Sequence, residues 1–178
     1  MKKNVWIFGL IAGSLIAAIA NYMAWVCCAN PEFETNDFLG YTAMLVIFSL
    51  IFVGIRNYRN HYLGGQITFG HALKAGFFMS LIASTLYVVV WLVDYYVFIP
   101  DYIDYYVSHV MYKTRTGGAT EAELAETAKN MANFKEMYKN PLFVIISTFV
   151  EVFPIAMVVS LISALILKRK ANADVVAG

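Results

Sequence analysis

The stretch PLFVIISTFVEVFPIAMVVSLISALIL, residues 141–167, decides the class of fold. As a helix it would reach roughly 40 Å, which exceeds the roughly 30 Å of hydrocarbon in a bilayer. It contains one acid, Glu151, with Ser147 and Thr148 one turn before it and Pro154 three residues after it. An acid inside a membrane segment is costly, so it needs a partner or a use. The stretch therefore predicts a membrane-spanning helix with a polar site near its middle.

The composition agrees with a membrane protein. The 178 residues are 60% hydrophobic and 14% charged, with a mean hydropathy of +0.63. That length fits one membrane domain, residues 1–178, and the lipid bilayer is its expected environment. The formal charge of +1 does not indicate a nucleic-acid partner, because its basic residues are scattered rather than clustered for phosphate contacts.

Apolar runs and breaks predict an all-α four-helix bundle in the membrane. The predicted spans are residues 5–28, 38–55, 72–99 and 141–167, with an extracytoplasmic helical hairpin over residues 100–140. The first run is too long for a signal peptide, so we expect it to be retained. The hairpin begins in a tyrosine-rich segment typical of the membrane boundary. Its second helix opens with a capping box, Thr120 to Glu123.

Small residues recur every four positions in two of the spans. They are Gly9, Gly13 and Ala17 in the first span, and Ala72, Gly76, Ser80 and Ser84 in the third. Such faces let two helix backbones approach closely. We therefore predict that the first and third spans pack against each other. The glycine face of the first span is also compatible with a homodimer, and the motif does not decide between the two.

The distribution of Lys and Arg predicts the orientation. Eight of the 13 fall at one side: Lys2, Lys3, Arg56, Arg59, Lys74, Lys168, Arg169 and Lys170. The other five lie on the long hairpin. Since cytoplasmic loops hold the excess of positive charge, both termini are expected in the cytoplasm and the hairpin outside.

Several polar side chains in other spans descend from the outer side towards Glu151. They are Asn21 in the first span and, at increasing depth, Asp94, Tyr87 and Thr85 in the third, with Asp94 expected to be solvated near the outer boundary. Two interpretations of Glu151 stay open. It either fixes helix packing through a hydrogen bond, to Asn21 for example, or lines a wet cavity that binds a cation, a proton or a polar lipid group. Pro154 releases the carbonyl of Val150 and predicts a kink beside it.

The sequence contains no catalytic motif that we recognise, and no cofactor or metal site is expected. The adjacent Cys27 and Cys28 lack the spacing of a zinc site. The favoured role is therefore a non-enzymatic scaffold or interaction module, with the hairpin as the surface that recognises a protein partner. The alternative is a small transporter or ligand-binding protein that uses Glu151, which would need a dimer to enclose a pathway.

Five segments together resemble a known family. They are FVGIRNYR (52–59), ITFGHA (67–72), YKNPLF (138–143), EVFP (151–154) and KRK (168–170). The chain is similar over nearly its whole length to the bacterial membrane family called domain of unknown function 4199. The resemblance implies four spans and a bacterial cytoplasmic membrane. It implies no activity, substrate or catalytic residue.

Overall fold

The computed structural model describes residues 2–29 and 37–169, and this part of the chain is helical, without β-strands. Six α-helices and one short π-helix follow in order: α1 Lys2–Ala29, α2 Asp37–Tyr62, α3 Phe69–Val93, the π-helix Asp94–Phe98, α4 Tyr102–Thr116, α5 Glu121–Tyr138 and α6 Pro141–Leu167. The predicted all-α class is confirmed. The acidic residues Glu32 and Glu34, Lys170 and the side chain of Cys27 lie outside the described part.

Four helical stretches are long and apolar enough to cross a membrane: Lys2–Val26, Gly40–Tyr62, Phe69–Phe98 and Pro141–Leu167. The prediction of four spans is confirmed. The second helix continues to Tyr62, beyond the predicted end of its span at Ile55. Arg56 and Arg59 end the apolar stretch, but they are good helix formers and leave the backbone hydrogen bonding intact.

The helix α3 is central to the bundle. It packs against α1 on one side and α6 on the other, while α2 packs between α6 and α1. Fully buried side chains of three helices meet here, among them Phe48, Ile51 and Ile55 of α2, Met79 of α3 and Val152 of α6. The predicted packing of the first span on the third is observed.

The start of α1 and the end of α6 lie at the same end of the bundle, which we call the basic end. The loop between α2 and α3 lies there too and is bonded to the end of α6. Gly64 and Gly65 adopt positive φ angles of 60° and 84° after α2, which a side chain would disfavour. Thr68 then caps α3, accepting from the backbone N–H of His71. Ile67 and Arg169 exchange two backbone hydrogen bonds of 3.1 and 2.8 Å. These bonds fasten the end of α6 to the loop before α3.

The opposite end is covered by α4 and α5, which pack against each other and against the ends of α1 and α6. The Thr120 and Glu123 capping box is confirmed at the start of α5. Lys135 of α5 pairs with Asp104 of α4. The region predicted as the hairpin thus contains two packed helices, and its side of the membrane stays a prediction.

Aromatic rings hold the pair of helices α4 and α5 on the bundle. Trp91 contacts Tyr102 at a ring distance of 4.8 Å, and Tyr95 contacts Tyr138 at 5.3 Å. The apolar residues of this contact include the buried Ile103 of α4. The apolar side of α4 and α5 therefore faces the bundle.

Candidate interaction site on the last helix

Glu151 lies on the outer surface of the bundle. The buried face of α6 is formed by Val144, Thr148, Val152, Ala156 and Ser160, whereas the side chain of Glu151 is exposed. The adjacent Val150 is also exposed. The acid is therefore accessible from the surroundings of the helix rather than enclosed by the four spans.

Glu151 belongs to a stripe whose positions are alternately four and three residues apart. The stripe consists of Ser147, Glu151, Pro154, Val158, Leu161 and Leu165. Ser147 is half-buried, and the other five side chains are exposed. A 4-3 spacing keeps side chains on one side of a helix. Residues at this spacing form the contact surface when two helices pack at a small angle. We call these six residues the Glu151 stripe.

The carboxyl of Glu151 is also close enough to affect a polar cluster under α5. Burial raises the pKa of the Tyr138 hydroxyl, and the negative charge of Glu151 adds to the rise, while Trp91 and Thr148 beside the hydroxyl lower it. Thr148 itself is buried, one turn before Glu151. Glu151 thus lies at the edge of this cluster, exposed on one side and within electrostatic range of Tyr138 on the other.

The remaining polar candidates do not gather around Glu151. Asn21 is half-buried, Tyr87 is buried, and Thr85 is exposed on the surface of α3. Ser147 donates to the carbonyl of Val144 in its own helix at 3.1 Å. Asp94 belongs to the π-helix, and its Oδ2 is buried without a hydrogen-bond partner among the described residues. The sequence predicts how deep each group lies along its helix, but depth does not determine the side of the helix that a residue occupies.

The small residues lie inside the bundle, on two different contacts. An added Cβ at Gly13 would come within 2.9 Å of the backbone oxygen of Ala83, and one at Gly9 within 2.9 Å of Ile82. Ala17 is buried on the same helix. The glycine face of α1 is therefore occupied by α3 of the same chain and is not free for a second copy.

Part of the small face of α3 packs against α6. Gly76 and Ser80 face Ser160 of α6, with Ser80 Oγ and Ser160 Oγ 2.9 Å apart. The small face predicted on α3 thus contributes Gly76 and Ser80 to the contact with α6. The helix α1 packs against Met79, Ile82 and Ala83 of α3. Because α3 is central, it presents a separate close-packing face to each neighbour.

Two structural residues were missed by the sequence reading. Asn4 Nδ2 donates to the carbonyl of Gly54 at 2.8 Å and ties α1 to α2. Ser160 was missed although small residues recur every four positions around it in α6, at Ala156, Ser160 and Ala164. That series was a readable signal for the α3 contact. Asn4 gave no such signal, since it stands alone beside two lysines.

The charges are separated between the two ends. At the basic end the described residues include no acid and seven bases: Lys2, Lys3, Arg56, Arg59, Lys74, Lys168 and Arg169. All the described acids except Glu151 lie at the opposite end, which α4 and α5 cover. Glu151 is thus the one described acid in the interior length of a span.

The fold and these surfaces define an all-α, multi-pass membrane protein. The chain belongs to the family described as protein of unknown function DUF4199, whose model matches residues 7–169. The resemblance read from the sequence is confirmed. No curated protein and no solved structure matches the chain.

Proposed function

We propose that this protein is a non-enzymatic interaction module of the bacterial cytoplasmic membrane, and that it recognises a partner inside the membrane through the Glu151 stripe. The observation that carries the proposal is the exposure of Glu151 on a membrane-spanning helix. Around it the exposed residues are apolar, among them Val158 at 53% and Leu165 at 48%. A carboxyl in such surroundings gains more from a bonding partner than from lipid.

The sequence favoured α4 and α5 as the recognition surface, but their packing supports this less well. Their apolar residues Ile103 and Tyr138 are buried against Trp91 and Tyr95 of α3 and its π-helix. What remains outside is mainly polar, with four exposed acids on α5. The apolar surface that remains available for a partner is in the spans, and on α6 it includes an acid.

The orientation belongs to the same proposal. The excess of Lys and Arg at the basic end supports a cytoplasmic location for both termini. The pair of helices α4 and α5 is then outside the membrane on the far side. Glu151 then lies about 15 Å below the start of α6, near the middle of the bilayer.

Photocrosslinking from a single position tests the proposed surface. A photoreactive residue replaces Val158 in the Glu151 stripe, and the matched control replaces Val89 on the outer face of α3, which is exposed to nearly the same extent (51%). We expect protein adducts from position 158 and none from position 89. Equal yields, or no protein adduct from position 158 in native membranes, would refute the proposal.

A carrier or ligand-binding role is the second candidate, and it is favoured by the negative charge of Glu151 acting on the buried Tyr138 hydroxyl. An exposed acid near a buried hydroxyl can bind a cation or a polar ligand. Water access to Glu151 distinguishes the two roles. A carrier needs an acid that water can reach, whereas an acid in a helix contact is shielded from water. In Glu151→Cys, on a background without Cys27 and Cys28, rapid reaction with a water-soluble thiol reagent would support the carrier role.

A further inference from the structure

We propose that the partner at the Glu151 stripe is a second copy of this chain, and that the two Glu151 carboxyl groups pair across a two-fold axis along the membrane normal. This inference rests on the proposed function and names its partner. It differs from the dimer considered from sequence, which used the glycine face of α1. That face is filled by α3.

No Lys or Arg of the described residues pairs with Glu151. The nearest basic residues on either side of it along the chain are Lys139 and Lys168, about 18 and 25 Å away along the helix direction. Each belongs to one end of the bundle, and the Lys and Arg residues of the other described spans all lie toward the basic end. A cation for Glu151 is therefore not supplied by the described part of the chain.

A second copy supplies a matching group at the same depth. Both copies insert with the same topology, so a two-fold axis along the membrane normal places each residue of the stripe at the level of its counterpart. Two carboxyl groups that hold at least one proton between them are self-complementary, since one donates an O–H and the other accepts it. No further charged group is required.

The rest of the stripe has the form of a packing seam. Val158, Leu161 and Leu165 continue from Glu151 at 4-3 spacing, and all three are exposed. Two such helices can pack along their lengths at about 20°, as in most membrane bundles. One polar position in an otherwise apolar seam fixes the register of the two helices. The stripe thus combines an adhesive surface with one group that specifies its alignment.

Other exposed polar side chains of the spans do not carry the same argument. A hydroxyl can bond its own helix, as Ser49 does by donating to the carbonyl of Val46 at 2.6 Å. Thr85 on α3 has the same option. The carboxyl of Glu151 has no hydrogen bond among the described residues, so it is the group that benefits from a second copy.

The first test measures the monomer–dimer equilibrium in lipid vesicles by single-molecule photobleaching over a series of protein-to-lipid ratios. We expect Glu151→Gln, which retains a donor and an acceptor, to dimerise like the unmodified protein. Glu151→Leu should weaken the dimer about 3- to 30-fold, the usual range for one interhelical polar contact. The control Thr85→Leu removes an exposed polar group elsewhere and should change nothing.

The second test does not depend on the strength of the carboxyl pair. On a background of Cys27→Ala and Cys28→Ala, Val158→Cys should form an intermolecular disulfide on mild oxidation, and Val89→Cys should not. A monomer at every ratio, or equal crosslinking at both positions, overturns the second copy. If the photoreactive residue at position 158 yields adducts only of other masses, the second copy is overturned while the interaction surface stands. If no protein adduct forms at all, both the second copy and the interaction surface are overturned.

Discussion

Ser80 Oγ and Ser160 Oγ lie 2.9 Å apart in the contact between α3 and α6, and both side chains are fully buried. Ser160 also donates to the carbonyl of Ala156 at 2.9 Å, so Ser80 is the donor when both bonds are made. Gly76 lies beside them, where an added Cβ would come within 2.8 Å of Ser160 Cβ. This contact joins the centre of the bundle to the helix that carries Glu151.

Replacing Ser80 should loosen this contact. Ser80→Ala removes the donor to Ser160, and we expect a loss of about 0.5–1.5 kcal/mol in the free energy of unfolding. The control is Ser14→Ala on α1, where the side chain is exposed. Chemical unfolding in mixed micelles measures both. An equal effect of the two changes would mean that the hydroxyl pair contributes nothing specific.

The close approach of α1 and α3 makes a second prediction. Gly13→Ala places a Cβ against the backbone of Ala83, which cannot move without shifting a helix, so we expect a loss of about 1–3 kcal/mol. The matched control, Gly40→Ala on α2, has nothing within 4 Å. It should be neutral or stabilising by up to about 1 kcal/mol. Thermal unfolding in lipid nanodiscs compares the two, and equal midpoints would contradict the tight contact.

The start of α5 should depend on pH. The carboxylate of Glu123 accepts from the Thr120 backbone N–H at 2.7 Å and from its hydroxyl at 2.9 Å. These bonds, the backbone one first, hold the pKa of Glu123 below its ordinary value. The stabilisation is therefore present above the ordinary pKa of about 4.3 and is lost as the pH falls through the lower, folded value.

Amide exchange of the first turn of α5, corrected for the intrinsic effect of pH, measures that loss. We expect protection to decrease below about pH 4, as the carboxylate of Glu123 becomes protonated. Glu123→Gln keeps an acceptor without a titrating group, so its protection should not vary with pH in this range. A parallel decrease in the Gln variant would assign the effect to other acids of α4 and α5.

The orientation can be tested by labelling, with both native cysteines replaced by alanine. Thr116→Cys at the end of α4 and Asn60→Cys near the end of α2 both place a thiol at an exposed position. A membrane-impermeant maleimide should label position 116 in intact cells and position 60 only after permeabilisation. The reverse pattern would invert the proposed topology.

Local features of this chain could be read from the sequence because their causes lie within a few residues. The spans follow from continuous apolar runs, and the caps at Thr68 and Thr120 follow from side chains that reach their own backbone. The family resemblance rested on short segments of the same kind. The contact partners of α1 and α3 were half predicted, since spacing shows a small face but not which neighbour fills it.

Only the tertiary structure decided what faces what. From sequence, Glu151 with Asn21 and Thr148 was a plausible enclosed site, because all three have suitable depth along their helices. In the bundle the rotation of α6 buries Thr148 and Val152 and leaves Glu151 outside. That rotation is set by contacts between residues far apart in the chain, such as the side chains of Ser80 and Ser160 and the backbones of Ile67 and Arg169. Apolar length alone determines that this chain crosses a membrane, whereas the surface it presents there depends on how its helices pack.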